Sequence, residues 1–210
     1  MGRYNQFAGR SLDRIAALSD GVLAVAMTLI VLEIHIPLKA GIHSERDLWL
    51  ALAALGPRAL TYLLSFLTLG IFWMGQQTQL DQLDHADRNL AWLNVAFLAV
   101  VAVTPFSTEL LAEFINYRAA LLVYWVNLLL LGVTVLATWT YSVRAGLLKP
   151  DTHAAIVRAI FRRIYIAQTV YAFGALLCLI NNYWAIGFIV AIQIHYAIAP
   201  RIPVVSELLS

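Results

Sequence analysis

Few residues in this chain are equipped for chemistry, and the first of them is a carboxylate in an unusual place. Asp20 follows Arg14 and Ser19 at the start of an apolar run that carries no charge from Gly21 to Leu32 and closes at Glu33. If the run is helical, Asp20 lies about 9 Å deeper along the axis than Arg14. Should the run cross a bilayer, an ionisable group at that depth costs on the order of 3 kcal/mol or more unless paired, and it marks a network or functional position. Arg14 and Asp20 are about 120° apart on the helical wheel, so they do not share a face and their partners must come from neighbouring helices. Val25, Thr28, Leu29 and Leu32 recur at i, i+3, i+4 and i+7, one stripe of the same helix, about 140° away from Asp20. The ordinary reading of that stripe is a helix-packing seam, with the Thr28 hydroxyl bonded to its own i−4 carbonyl.

A second group is Asp81, Asp84 and Asp87, with His85 among them. These read as a solvated loop, and the spacing is too loose for a metal site. A membrane-embedded enzyme needs a nucleophile and base, or metal ligands, converging at one depth. His35, His43, His85, His153 and His195 are scattered through separate loops and apolar runs, which argues against it.

The elements that must position these groups follow from composition. Hydrophobic residues make up 61% of the 210 and charged ones 12%, with a mean hydropathy of +0.77, where soluble domains carry about 25% charged residues. This excludes a water-soluble enzyme domain, a disordered tail and a disulfide-stapled module, since Cys178 has no partner within the chain. The net charge of +2 gives no indication of a nucleic-acid partner. An all-α polytopic membrane protein is expected, a single membrane unit over 1–210, with no cleavable signal peptide because the first apolar run is of spanning length.

Six spans are expected, at roughly 14–36, 59–76, 89–111, 119–141, 164–180 and 184–200. The stretch 47–55, ending before Gly56-Pro57, is too short to cross and reads as an interfacial helix or an extension of the second span. Pro105 should end or kink the third span, freeing a carbonyl that Ser107 and Thr108 cannot easily reach. With the N-terminus inside, Arg3, Arg10, Arg14, Arg88, Arg144, Lys149, Arg158, Arg162, Arg163 and Arg201 face the cytoplasm, against Lys39, Arg46, Arg58 and Arg118 outside. The positive-inside rule therefore places both termini in the cytoplasm of a cell-membrane protein. Arg158, Arg162 and Arg163 form a basic end that meets anionic lipid.

The segment Arg14-Ile-Ala-Ala-Leu-Ser19-Asp20-Gly21-Val22 resembles the Arg-x-x-x-Phe-Ser-Asp signature of the lysosomal transmembrane potassium channel family, in its short prokaryotic branch with one six-helix unit per chain. The resemblance continues through Val25-Ala-Met-Thr28-Leu29, Leu32-Glu33, Tyr62-Leu-Leu-Ser65-Phe66, Phe72-Trp73, Asn94 and Thr104-Pro105-Phe106-Ser107-Thr108. It reaches from about residue 10 to 141 by motif, and further only by hydropathy. Two departures stand out: Leu18 replaces the motif's Phe, and Trp73-Met-Gly75-Gln76-Gln77 stands where the family shows a histidine after the Trp. A glutamine replaces that histidine's hydrogen bonds but not its proton, which removes any pH response that depends on it.

The resemblance implies a homotetrameric, potassium-preferring cation channel with the first helix lining a central pore and no cofactor beyond the permeant K+. Val25, Thr28, Leu29 and Leu32 then become stacked rings, aliphatic constrictions with one collar of hydroxyls. Arg14, Ser19, Asp20, Trp73, Gln76 and Asn94 become a network holding that helix to the second and third spans, worth around 1 kcal/mol per pair. Glu33 falls at the outer mouth, and Asp81, Asp84 and Asp87 near the inner one, where acidic rings concentrate cations. The competing reading is a secondary transporter coupling a solute to protons or sodium through Asp20. That class favours inverted repeats and discontinuous helices, and neither is visible in the sequence.

Overall fold

The computed structural model describes residues 11–32, 34, 35, 37 and 41–198. Within them lie seven α-helices: α1 (Leu12–Val31), α2 (Glu45–Ala54), α3 (Gly56–Leu80), α4 (Arg88–Glu113), α5 (Arg118–Arg144), α6 (Ala154–Leu176) and α7 (Asn182–Ile198). A short 3-10 turn, Leu177–Leu179, follows α6. Apolar runs of this length are helical because in a lipid-like environment each backbone N–H and C=O must find its partner within the segment. α1, α3, α4 and α5 are each long and apolar enough to cross a membrane.

Local chemistry sets the ends. Ser11, Ser44 and Asp87 cap α1, α2 and α4, accepting from the N–H of Arg14 (3.3 Å), Asp47 (3.1 Å) and Leu90 (2.8 Å). Pro57 occupies the first turn of α3, where a missing N–H costs nothing. α5 ends in a Schellman turn: Leu147 N–H bonds Ser142 O (3.0 Å) and Gly146 N–H bonds Val143 O (3.4 Å). Gly146 has φ 69°, a left-handed conformation that an L side chain strains to adopt.

The reversals gather at two ends. At the end where α1 begins, the α3–α4 and α5–α6 connections are stitched by main-chain bonds, Asp84 N–H to Leu147 O (2.9 Å) and Lys149 N–H to Gln82 O (3.0 Å). Ile15, Leu80, Leu83, Leu90, Trp139 and Leu147 pack into one buried cluster there. At the opposite end Arg58 pairs with Glu113 (2.5 Å) and meets His35 (3.1 Å). The Asn182 amide also reaches Ile115 O (2.9 Å) at this end. α4 is the central helix, packed against α1, α3 and α5. α2 buries none of its side chains and leaves Trp49 and Leu50 exposed, a separate helix rather than an extension of α3.

Of the outcomes expected of Pro105, an end to the helix is the one ruled out. α4 runs unbroken through it to Glu113. Thr104 O accepts from both Ser107 Oγ (2.9 Å) and Thr108 Oγ1 (2.8 Å), and Val100 O, in the turn before the proline, accepts the Asn127 amide of α5 (3.2 Å). Ser107 and Thr108 thus bond Thr104 O rather than Val101 O, the carbonyl one turn back that Pro105 deprives of its N–H.

A buried polar cluster holds α3, α4, α5 and α7 together. Tyr124 OH lies 3.3 Å from Ser65 Oγ and 3.0 Å from Thr68 Oγ1, Thr108 Oγ1 lies 2.7 Å from Ser65 Oγ, and Gln193 Nε2 donates to Thr68 (2.5 Å). Tyr124→Phe deletes the shared hydroxyl while keeping the ring. It should lower stability by about 1 kcal/mol, read as a reduced thermal midpoint in detergent.

Candidate functional site: the two faces of the first helix

α1 divides cleanly into two faces. Ile15, Ser19, Leu23, Ala26 and Ile30, three or four residues apart, are buried against the rest of the chain. Leu18, Gly21, Val25, Thr28, Leu29 and Leu32 face away and are exposed. Val25, Leu29 and Leu32 are 57%, 44% and 67% exposed, too much for residues of a seam within this chain. Thr28 spends its hydroxyl proton on Val25 O (2.8 Å), one position short of the expected i−4 carbonyl, which leaves its oxygen lone pairs outward. Gly21, Leu18 and Val25 also border a groove against α4, where Pro105 forms the opposite wall.

The buried face is fixed by polar contacts. Gln76 Nε2 of α3 donates to Ser19 Oγ (2.9 Å) and to Asn94 Oδ1 of α4 (2.5 Å), and the Asn94 amide donates back to Ser19 (3.2 Å). Ser19 also bonds Ile15 O (2.9 Å), so one hydroxyl ties three helices together with all three side chains buried. Hydrogen bonds made where water is absent define which faces meet, since the misregistered alternative leaves the same groups unpaired.

Asp20, at the edge between the faces, is held separately. Trp73 Nε1 (2.7 Å) and Gln77 Nε2 (2.8 Å) both donate to its Oδ1. Trp73 and Gln77 are one turn apart on α3, so their donors converge on one carboxylate, and bonds to a charged acceptor are the stronger kind.

The structure thus brings together Ser19, Gln76 and Asn94, and beside them Asp20 and Trp73. Arg14 is not among them. It is exposed, and among the described residues its side chain has no hydrogen-bond or ion-pair partner. The reason is geometric: about 120° from Asp20, it falls instead within about 20° of Val25, on the outward face. Gln77 is a partner that sequence reasoning passed over. Its signal was the i, i+4 relation to Trp73, hidden behind the more obvious Gln76.

The acidic loop residues have different surroundings. Asp87 caps α4 and accepts the Tyr141 hydroxyl. Asp84 bonds its neighbour His85 (3.0 Å), and the Lys149 ammonium takes the main-chain oxygen of Asp81 (2.7 Å). The Asp81 and Asp84 side chains are exposed at the end where α1 begins. Glu33 lies outside the described residues.

Among the described residues this is a helical membrane protein whose first helix is locked on one side and exposed on the other. The comparisons with known proteins agree in class. The sequence profile of the family described as endosomal/lysosomal potassium channel TMEM175 matches residues 14–105. A potassium channel of Streptomyces collinus is 35% identical over 151 residues, covering 70% of this chain and 72% of that one. A potassium channel of Chamaesiphon minutus is 30% identical over 191 residues, covering 88% and 93%. The crystal structure of a lysosomal potassium-selective channel TMEM175 homolog from the same organism superposes with a TM-score of 0.76 at 28% identity, covering 89% of this chain and 96% of that one. The chain belongs to the TMEM175 family, a family of ion channels and not of enzymes.

Proposed function

We propose that this protein is a potassium-preferring cation channel of the cell membrane, a homotetramer in which four copies of α1 surround the ion path. In this reading α6 and α7 complete six spans in a single membrane unit, and both termini are cytoplasmic. The observation that carries it is the unpartnered stripe of Val25, Thr28, Leu29 and Leu32, set opposite the Ser19/Gln76/Asn94 lock. Fourfold repetition turns the stripe into stacked collars over about 10 Å of path. Aliphatic collars exclude ions by dewetting when narrow, and the Thr28 collar supplies oxygen atoms to a cation that has shed water. No carbonyl filter of the Thr-Val-Gly-Tyr-Gly type occurs in the chain, so discrimination among alkali cations rests on these collars and is modest. Asp81 and Asp84, exposed at the end where α1 begins, raise the local cation concentration.

Two measurements test the proposal. Purified protein in liposomes should pass K+ down its gradient. Leu29→Cys should crosslink between copies under oxidation, with little background because the natural Cys178 is buried. Saturable exchange that requires a solute, and that is lost in Asp20→Asn, would replace the channel with a coupled transporter. A monodisperse monomer without K+ flux would end both the pore and the tetramer.

A further inference from the structure

Away from α1, a cleft opens between α3, α5 and α6. Its wall is apolar along Ile71, Phe72 and Val135, yet polar groups of α6 enter it. Arg163 lines it half-buried, no acidic residue does, and among the described residues the Arg163 guanidinium has no hydrogen-bond or ion-pair partner. Gln168 reaches across to α5 at Gly132, so closely that a Cβ there would stand 1.7 Å from its amide nitrogen. Its Oε1 is buried without a partner. An unpaired acceptor and an unpaired cation in an otherwise greasy crevice are costly unless something completes them.

The arrangement is graded along the membrane normal. Arg163 and Thr78 line the cleft toward the end where α6 begins and α3 finishes, next to the exposed Arg158 and Arg162 of the same helix. Gln168 is about 7 Å deeper, and Tyr171 about 12 Å deeper than Arg163. Ile160 and Ile164 flank Arg163, and Val135, Phe72 and Ile71 line the facing walls alongside these polar groups. A charge near the mouth, neutral hydrogen-bonding groups deeper in and apolar walls along both suit the phosphate, glycerol-ester region and acyl chain of a phospholipid.

We propose that this cleft seats an anionic phospholipid from the leaflet that α6 enters, its head-group phosphate on Arg163, its glycerol-ester oxygens beside Gln168, and one acyl chain between α3 and α5. Arg158 and Arg162 attract anionic lipid to the neighbourhood, and Arg163 alone reaches into the cleft. This site is independent of conduction, so it stands or falls separately from the channel reading.

Native mass spectrometry of the purified full chain in detergent tests it, with phosphatidylglycerol and phosphatidylcholine of identical acyl chains as probes. The wild type should prefer phosphatidylglycerol by about fivefold or more, the contribution expected of one arginine at a lipid surface. Arg163→Ala should bring the preference below about twofold, whereas Arg162→Ala should keep most of it. Ala167→Phe fills the cleft with the arginine intact and should abolish tight binding of phosphatidylglycerol, which provides the test should Arg163→Ala fail to fold. Millimolar inorganic phosphate should not compete, because the site requires the chain. Equal binding of the two lipids, equal losses in Arg162→Ala and Arg163→Ala, unchanged binding in Ala167→Phe, or displacement by free phosphate would each overturn the proposal.

Discussion

Leu29→Asn should raise K+ flux through the reconstituted protein on the order of tenfold, a barrier drop of about 1.4 kcal/mol, with the thermal midpoint unchanged. Leu29 lies off the buried face of α1 and is 44% exposed, so a polar side chain there desolvates far less on folding than one at a core position. Around a pore, four amides in place of four isobutyl groups let water persist through the constriction, and the dewetting barrier falls. The comparison that decides is Leu23→Asn, one to two turns below on the opposite face and 2% exposed. Burying an unpartnered amide there costs roughly 1–3 kcal/mol, and that variant should melt earlier. If Leu29→Asn melts early as well and conducts no better, the stripe is a packing seam and the pore assignment is wrong.

The second large effect concerns the lock on the other face. Asn94→Leu should lower stability by about 1–3 kcal/mol, because Gln76 and Ser19 stay buried and lose their shared partner. Replacing all three residues with apolar ones (Ser19→Ala, Gln76→Leu, Asn94→Leu) should recover most of that loss, since no polar group is then stranded. Flux, however, should not recover with stability. The hydrogen bonds specify which side of α1 faces inward, and an apolar contact of similar area permits small rotations of the stripe about the helix axis. A triple variant that restores both stability and flux would show the lock to be plain adhesive.

Much of this was legible from sequence, for reasons that also explain the remainder. The third and fourth apolar runs coincide with α4 and α5 because hydrophobic runs and membrane helices share a cause, whereas α1 ends at Val31, five residues before the end expected for the first. Hydropathy loses polar turns: α3 continues past Gln76 to Leu80, with Gln79 bonding Val135 O (3.3 Å). α6 begins ten residues before the apolar run because its first turns carry Arg158, Arg162 and Arg163. The contacts of Ser19, Asp20, Trp73 and Asn94 were suggested by motif resemblance, and their partners had to be adjacent helices. The Tyr124 cluster gave no such sign. Ser65, Thr68 and Thr108 in membrane helices ordinarily bond their own backbone, as Thr68 does to Leu64 O (2.8 Å), so their cross-helix role is invisible without the fold. Asn127, which bonds Val100 O in the turn before Pro105, lies on another helix and is equally invisible from the α4 segment alone.

The seam between the α3–α4 and α5–α6 connections is made from main-chain atoms, Asp84 to Leu147 and Lys149 to Gln82. Peptide groups bond alike whatever side chains they carry. Apart from Gly146 and the buried Leu83, Ala86 and Leu147, the positions of this junction are therefore free to drift in composition while it keeps its shape. Evolution has room there to retune surface charge without disturbing the helical bundle.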